Sequence, residues 1–198
     1  MSRPRPRKPS LALLALLALA GLALSACGSS HARVTRGTYA GESGANAPYL
    51  NVGPLVYEVQ ISRELNPFNE EDSEYLQGLE GAEGKLETGQ EWFAVFLQVY
   101  NETTHELSAS DQVTIFDTQG NTYSPIVPNK TNPFAYRAGA VAPKGQLPVA
   151  GSIADQVGSQ GEVLLFKIQT VSLDNRPIEI RIVDPEEPSQ FAQAELDV

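Results

Sequence analysis

Cysteine is nearly missing from this chain: Cys27 is the only one among 198 residues. An intrachain disulfide is therefore excluded, and stability must come from an ordinary apolar core. Histidine is almost as scarce, with only His31 and His105, which leaves little for imidazole catalysis or a soft-metal cluster. Positive charge is also in deficit, with 14 Lys and Arg against 24 Asp and Glu. A chain this acidic is repelled by nucleic acid and by anionic lipid headgroups, so no nucleic-acid partner is expected. The one long apolar run, Leu11 to Ala26, falls short of the roughly 20 residues that cross a hydrocarbon core. Between Tyr49 and Asp184 no stretch sustains a helical period.

What the chain does have begins at its N-terminus. Arg3, Arg5, Arg7 and Lys8 precede the apolar run, which ends in small residues, the three-part layout of an export signal over 1–26. Leu24-Ser25-Ala26-Cys27 is similar to the lipobox of bacterial lipoproteins. That resemblance implies cleavage before Cys27 and a diacylglycerol on its sulfur. Two acyl chains on one residue meet the requirement of two signals for stable anchoring. The expected location is the extracytoplasmic face of a cell membrane, at the cell surface or in a periplasm. Removing 1–26 takes four basic and no acidic residues, and moves the formal charge from −10 to −14.

Residues 27–48 are rich in Gly, Ser and Ala and show no alternation, so they read as a flexible tether. From Leu55 the pattern changes to period two: Leu55, Tyr57, Val59 and Ile61 alternate with Val56, Glu58, Gln60 and Ser62, a half-buried strand. Trp92 to Tyr100 is apolar on both faces and reads as a central strand. Val113 to Phe116 and Thr122-Tyr123 flank Asp117 to Asn121, a hairpin turn whose Gly120 and Asn121 tolerate positive φ. Further strands are expected at Glu162–Ile168 and Pro177–Val183. The spacing predicts an all-β fold over 49–184, an antiparallel β-sandwich. The tail 185–198 reads as an edge strand or as one or two helical turns.

Three segments in order carry a family resemblance: Phe93 to Thr103, Phe116 to Tyr123, and Gly161 to Phe166. They are similar to a group of immunoglobulin-like domains of unknown function in bacterial lipoproteins. In that group a long apolar strand ends in Asn, an Asp-x-x-Gly-x-x-Tyr hairpin follows, and a Gly-led strand ending in Phe comes later. The resemblance spans roughly Leu55 to Val183. It implies an exported, non-catalytic, immunoglobulin-like sandwich and supplies no catalytic residues. With no cysteine pair to pin its sheets, such a domain must rely on apolar packing, with Trp92 the candidate pin.

Candidate sites are few. His105 lies where a strand ends and reads as a solvated loop residue, and Gly41-Glu42-Ser43-Gly44 lacks the spacing of a nucleophile elbow, so no enzyme is expected. The segment from Asn66 to Gln90 is long for a strand connection, and loops of that length are often binding loops. Within it Phe68 and Tyr75 are apolar residues among acids, able to pack back as a lid or to meet an envelope protein. Phe134 and Tyr136, in a proline-rich stretch, read first as part of a core-covering loop, with a second contact patch as the alternative. Glu70, Glu71, Asp72 and Glu74 could offer hard oxygens to calcium, although the EF-hand spacing is absent. The leading expectation is a lipid-anchored binding or structural module of the envelope; the alternative is a calcium- or small-ligand-binding surface lipoprotein. The sequon Asn101-Glu102-Thr103 is discounted in a chain with a bacterial lipobox.

Overall fold

In the computed structural model the described residues are 32–38, 48–158 and 161–196; the signal 1–26, Cys27 and much of the tether lie outside them. The strand that is apolar on both faces, β4 (Gln90–Tyr100), occupies the middle of a sheet, as expected. It pairs antiparallel with β3 (Leu55–Leu65) on one side and β10 (Glu162–Gln169) on the other. The outer strand β2 (Tyr49–Val52) joins β3, and β9 (Gln146–Leu147) pairs Val99 and Tyr100 of β4. The second sheet runs β1 (Val34–Thr38), β12 (Phe191–Glu195), β11 (Glu179–Val183), β6 (Val113–Phe116) and β7 (Thr122–Tyr123). A two-stranded piece pairs β5 (Leu107–Ser108) with β8 (Ala140–Val141). The fold is an all-β sandwich.

Alternation builds the core. Tyr57, Val59, Phe93, Val95, Leu97 and Phe166 from the first sheet meet Val113, Ile115, Ile180, Ile182 and Ala192 from the second. The opposite parity of β4 and β10 points away from the second sheet, yet much of it is also buried. Leu65, Trp92, Ala94, Phe96, Val163 and Leu165 form a separate cluster with Tyr75, Phe134 and Ala154, which come from the connections. Trp92 is therefore not an inter-sheet pin: its neighbour Phe93 takes that face, and Trp92 packs on the outer one beneath Lys167, whose Nζ is 5.4 Å from the ring.

Other sequence expectations need correction. The alternation of β3 breaks between Val59 and Ile61, where Val59 pairs Leu97 and Ile61 pairs Phe96. Gln60 is the extra residue of a β-bulge, so Ile61 joins the outer cluster instead of following Val59 into the core. The region read as tether contains β1, which runs parallel to β12 in register from Val34↔Phe191 to Thr38↔Glu195. The tail is a strand but not an edge, since β12 lies between β1 and β11, and the sandwich is accordingly not wholly antiparallel. The tight turn between β2 and β3 depends on Gly53 (φ +56°), where a Cβ would lie 1.8 Å from Asp184 Oδ2.

The β6–β7 hairpin forms where expected, with Gly120 at φ +85°. Its carboxylate is the anchor: Asp117 Oδ1 accepts from the amides of Gln119 and Asn121, both at 2.9 Å, and Oδ2 accepts from Asn121 Nδ2 at 2.7 Å. Burial alone would raise the pKa of Asp117, but the bonds donated by Asn121, Ser172 and Gln119 outweigh it and hold the pKa at about 2. The unfolded chain therefore takes up this proton more readily than the folded one. The resulting stabilisation is present above the ordinary carboxylate range and is lost as pH falls from about 4 to about 2. Denaturant titrations across that window should show Asp117→Asn with a shallower acid loss than the wild type. An identical acid slope in both proteins would refute this role.

Candidate functional site

The connection Asn66–Gln90 folds back as a cover over the outer face of the first sheet. Asn69 caps the helix Glu70–Tyr75 by accepting from the amide of Asp72 at 3.2 Å. Asp72 then holds the loop start: Oδ2 accepts from the amide of Asn66 at 2.8 Å, and Oδ1 lies 2.6 Å from a guanidinium nitrogen of Arg63. Burial opposes ionisation of Asp72, but the bond and charge of Arg63, with the Asn66 amide, hold its pKa below the ordinary value. The same guanidinium sits 6.0 Å from the Tyr75 ring centroid and 5.9 Å from that of Phe96. Tyr75 stands edge-on to Phe96 at 4.9 Å and to Phe134 at 5.1 Å. Asn132 fastens the helix end by donating from Nδ2 to the carbonyls of Tyr75 and Gln77, both at 2.8 Å.

This arrangement separates the four proposed contact residues. Tyr75, Phe134 and Tyr136 are buried, so they belong to the packing and present no surface to a partner. Phe68 is 95% exposed on the turn Asn66–Asn69, where its amide donates to Asn66 Oδ1 at 3.0 Å. The acidic candidates for calcium, Glu70, Glu71, Asp72 and Glu74, lie on the helix, and both oxygens of Asp72 are already engaged by Arg63 and Asn66. Among the described residues no three His, Cys, Asp or Glu side chains are grouped to hold a metal ion.

Tyr136 instead serves as a strut. Its hydroxyl donates to the carbonyl of Ser110 at 2.8 Å, while the Ser110 amide donates to the hydroxyl of Tyr57, also at 2.8 Å. Burial pushes both phenols up, Tyr57 to about 12 and Tyr136 further. Beside this strut lies a recess of about 330 Å³ walled by Val113, Val127, Tyr136 and Leu164, with Asp111 and Arg137 also lining it. Burial raises neighbouring Glu162 to about 7, against the partial pull of Arg137. Sequence reasoning missed Ser110 and Tyr57 as a bonded node, because 53 residues separate them in the chain. His105 is exposed, and its carbonyl accepts from Asn101 Nδ2 at 2.7 Å.

No family model matches the chain, and no curated protein does. Solved structures do. A "putative lipoprotein" (ycdA) from Bacillus subtilis matches at 8% identity and TM-score 0.46, over 80% of this chain but only 39% of that one. The yjhA protein of the same organism matches at 11% identity and TM-score 0.49, over 76% and 97%. An uncharacterized β-sandwich protein from Clostridium difficile matches at 10% identity and TM-score 0.44, over 83% and 97%. Among the described residues no helix is long and apolar enough to cross a membrane.

Proposed function

We propose that the chain is a lipid-anchored, extracytoplasmic β-sandwich module that acts at the cell envelope by contact with a protein partner, and that Phe68 is its contact residue. The N-terminal sequence supports the anchor: a basic start, an apolar run and Leu24-Ser25-Ala26-Cys27. The observation that carries the contact is the exposure of Phe68 on a turn held from both ends by Asn66, Asn69 and Asp72. Phenylalanine is enriched in the desolvated centres of interfaces, and a rigid base reduces the ordering cost of using it. Fixing the module at a membrane raises its local concentration near other membrane components, so a modest contact suffices.

A photo-crosslinking side chain at Phe68, introduced in the protein's own cells, tests the contact. One reproducible adduct is expected, lost when the same probe sits on an exposed residue of the opposite sheet. Phe68→Ala should leave stability within about 0.5 kcal/mol of wild type, since the ring touches little. Absence of a specific adduct at Phe68 would sink the contact. Cys27→Ala is expected to abolish lipid labelling and membrane fractionation; undiminished labelling would refute the anchor.

A further inference from the structure

We infer that the uncovered half of the first sheet's outer face is a glycan-binding trough that takes neutral pyranose units. The cover built from residues 66–90 lies over the apolar half, around Trp92, Ala94 and Phe96. Beyond the bulge at Gln60 the same face changes character. Two cross-strand rows remain there: Tyr49, Glu58 and Gln98, and then Asn51, Val56 and Tyr100. An open trough of about 480 Å³ lies along them, lined by Tyr49, Asn51, Val56, Tyr100 and Glu102. That volume falls in the range of small-molecule sites.

The residue types select the ligand. Tyr49 is 62% exposed, and it stands two strands from Tyr100, so the two rings are on the order of 10 Å apart. An aromatic face with its negative quadrupole suits the polarised C–H face of a pyranose ring, and two such faces at this separation suit alternate units of an extended oligosaccharide, each unit spanning roughly half of it. Between them Asn51 offers an amide that donates and accepts, and Glu102 offers a carboxylate, the functions that paired sugar hydroxyls need. Beneath the trough the polar groups are already fixed. The Tyr100 hydroxyl reaches Glu58 Oε2 at 3.2 Å and Gln98 Oε1, and Gln60 Nε2 donates to Gln98 Oε1 at 3.2 Å. Glu58, Gln60 and Gln98 are all buried, so Tyr100 is held before any ligand arrives.

Charge narrows the class further. A cation stands at the trough, Lys144, whose Nζ donates to the carbonyl of Glu102 at 2.6 Å; against it are the carboxylates of Glu102 in the lining, Glu58 below and Asp155, close enough to act on Tyr100. Uronic acids, sialic acids and phosphorylated sugars are therefore disfavoured, and neutral pyranoses fit. This trough is distinct from Phe68, and each can fail without the other.

The test uses the purified full chain with cellohexaose, mannohexaose, chitohexaose and hexagalacturonate, followed by saturation-transfer NMR and titration. At least one neutral hexasaccharide is expected to receive transfer. Tyr49→Ala should weaken its binding at least roughly tenfold, and Val171→Ala, at an exposed residue outside the trough, should leave it unchanged. Asn51→Ala is the second variant, used should Tyr49→Ala shift the melting temperature. No transfer to any neutral probe at millimolar concentration would overturn the inference. So would binding indifferent to both substitutions, or tighter binding of hexagalacturonate.

Discussion

Tyr75→Ala is expected to lower stability by about 3–5 kcal/mol and to release the cover before the sandwich. The ring is 3% exposed and lies edge-on to both Phe96 and Phe134, so truncation opens a cavity in the outer cluster. The main core between the sheets contains none of these three side chains and should survive at moderate denaturant. Hydrogen exchange should then show protection lost over 66–90 while β4 and β10 keep theirs. Tyr75→Phe is the control: it keeps the ring and both edge contacts and loses the hydroxyl that donates to Glu71 Oε1 at 3.5 Å, so it should cost clearly less than Tyr75→Ala. A Tyr75→Ala protein that unfolds in a single step with wild-type exchange over 66–90 would refute a separable cover.

A second large effect is expected at Asn101, where the central strand ends. The residue is 2% exposed, and Nδ2 donates to the carbonyls of His105 (2.7 Å), Val141 (3.0 Å) and Ala142 (3.1 Å). Oδ1 accepts from the amide and hydroxyl of Thr103 at 2.9 and 2.7 Å. Asn101→Asp keeps the shape but turns a buried donor into a charged acceptor facing three carbonyl oxygens. The cost should be about 4 kcal/mol or more, a large part of an ordinary domain's stability. Asn101→Ala loses the same bonds without adding a charge and should cost less. A reversed order in urea unfolding would refute the argument. The same geometry makes the sequon at Asn101 unsuited to glycosylation of the folded domain, because the amide nitrogen is buried and already shared among three acceptors.

What the sequence disclosed follows from where its physics is local. The central strand is legible because Trp92 to Tyr100 is apolar at both parities, and the hairpin because Asp117 and Gly120 supply a turn by themselves. Parity is another matter: an all-apolar strand gives no clue whether Trp92 or Phe93 meets the second sheet. The bulge at Gln60 is set by the register of β4, so alternation within β3 could not foretell the reversal at Ile61. β1 escaped notice because Val34-Thr35-Arg36-Gly37-Thr38 has no buried stripe and is held by backbone pairing with a strand near the other end of the chain. Tyr75, Phe134 and Tyr136 lie in connections with no periodic pattern, so whether they pack or face solvent is decided by partners distant in the chain, such as Phe96 for Tyr75 and Ser110 for Tyr136. The trough was hidden for the same reason, with Tyr49, Asn51, Val56 and Tyr100 drawn from three strands.

The parallel pairing of β1 also gives the domain a direction-dependent mechanical strength. Phe191 donates its amide to the carbonyl of Arg33, and the ladder then runs through five register pairs to Thr38↔Glu195. Tension entering the chain ahead of Arg33 and acting along the strand would load those pairs together, in shear. Tension acting across the strand would instead peel them one at a time, beginning at Val34↔Phe191. A pull along β1 should therefore meet the higher rupture force, and a sideways pull should open the sandwich at its outermost seam.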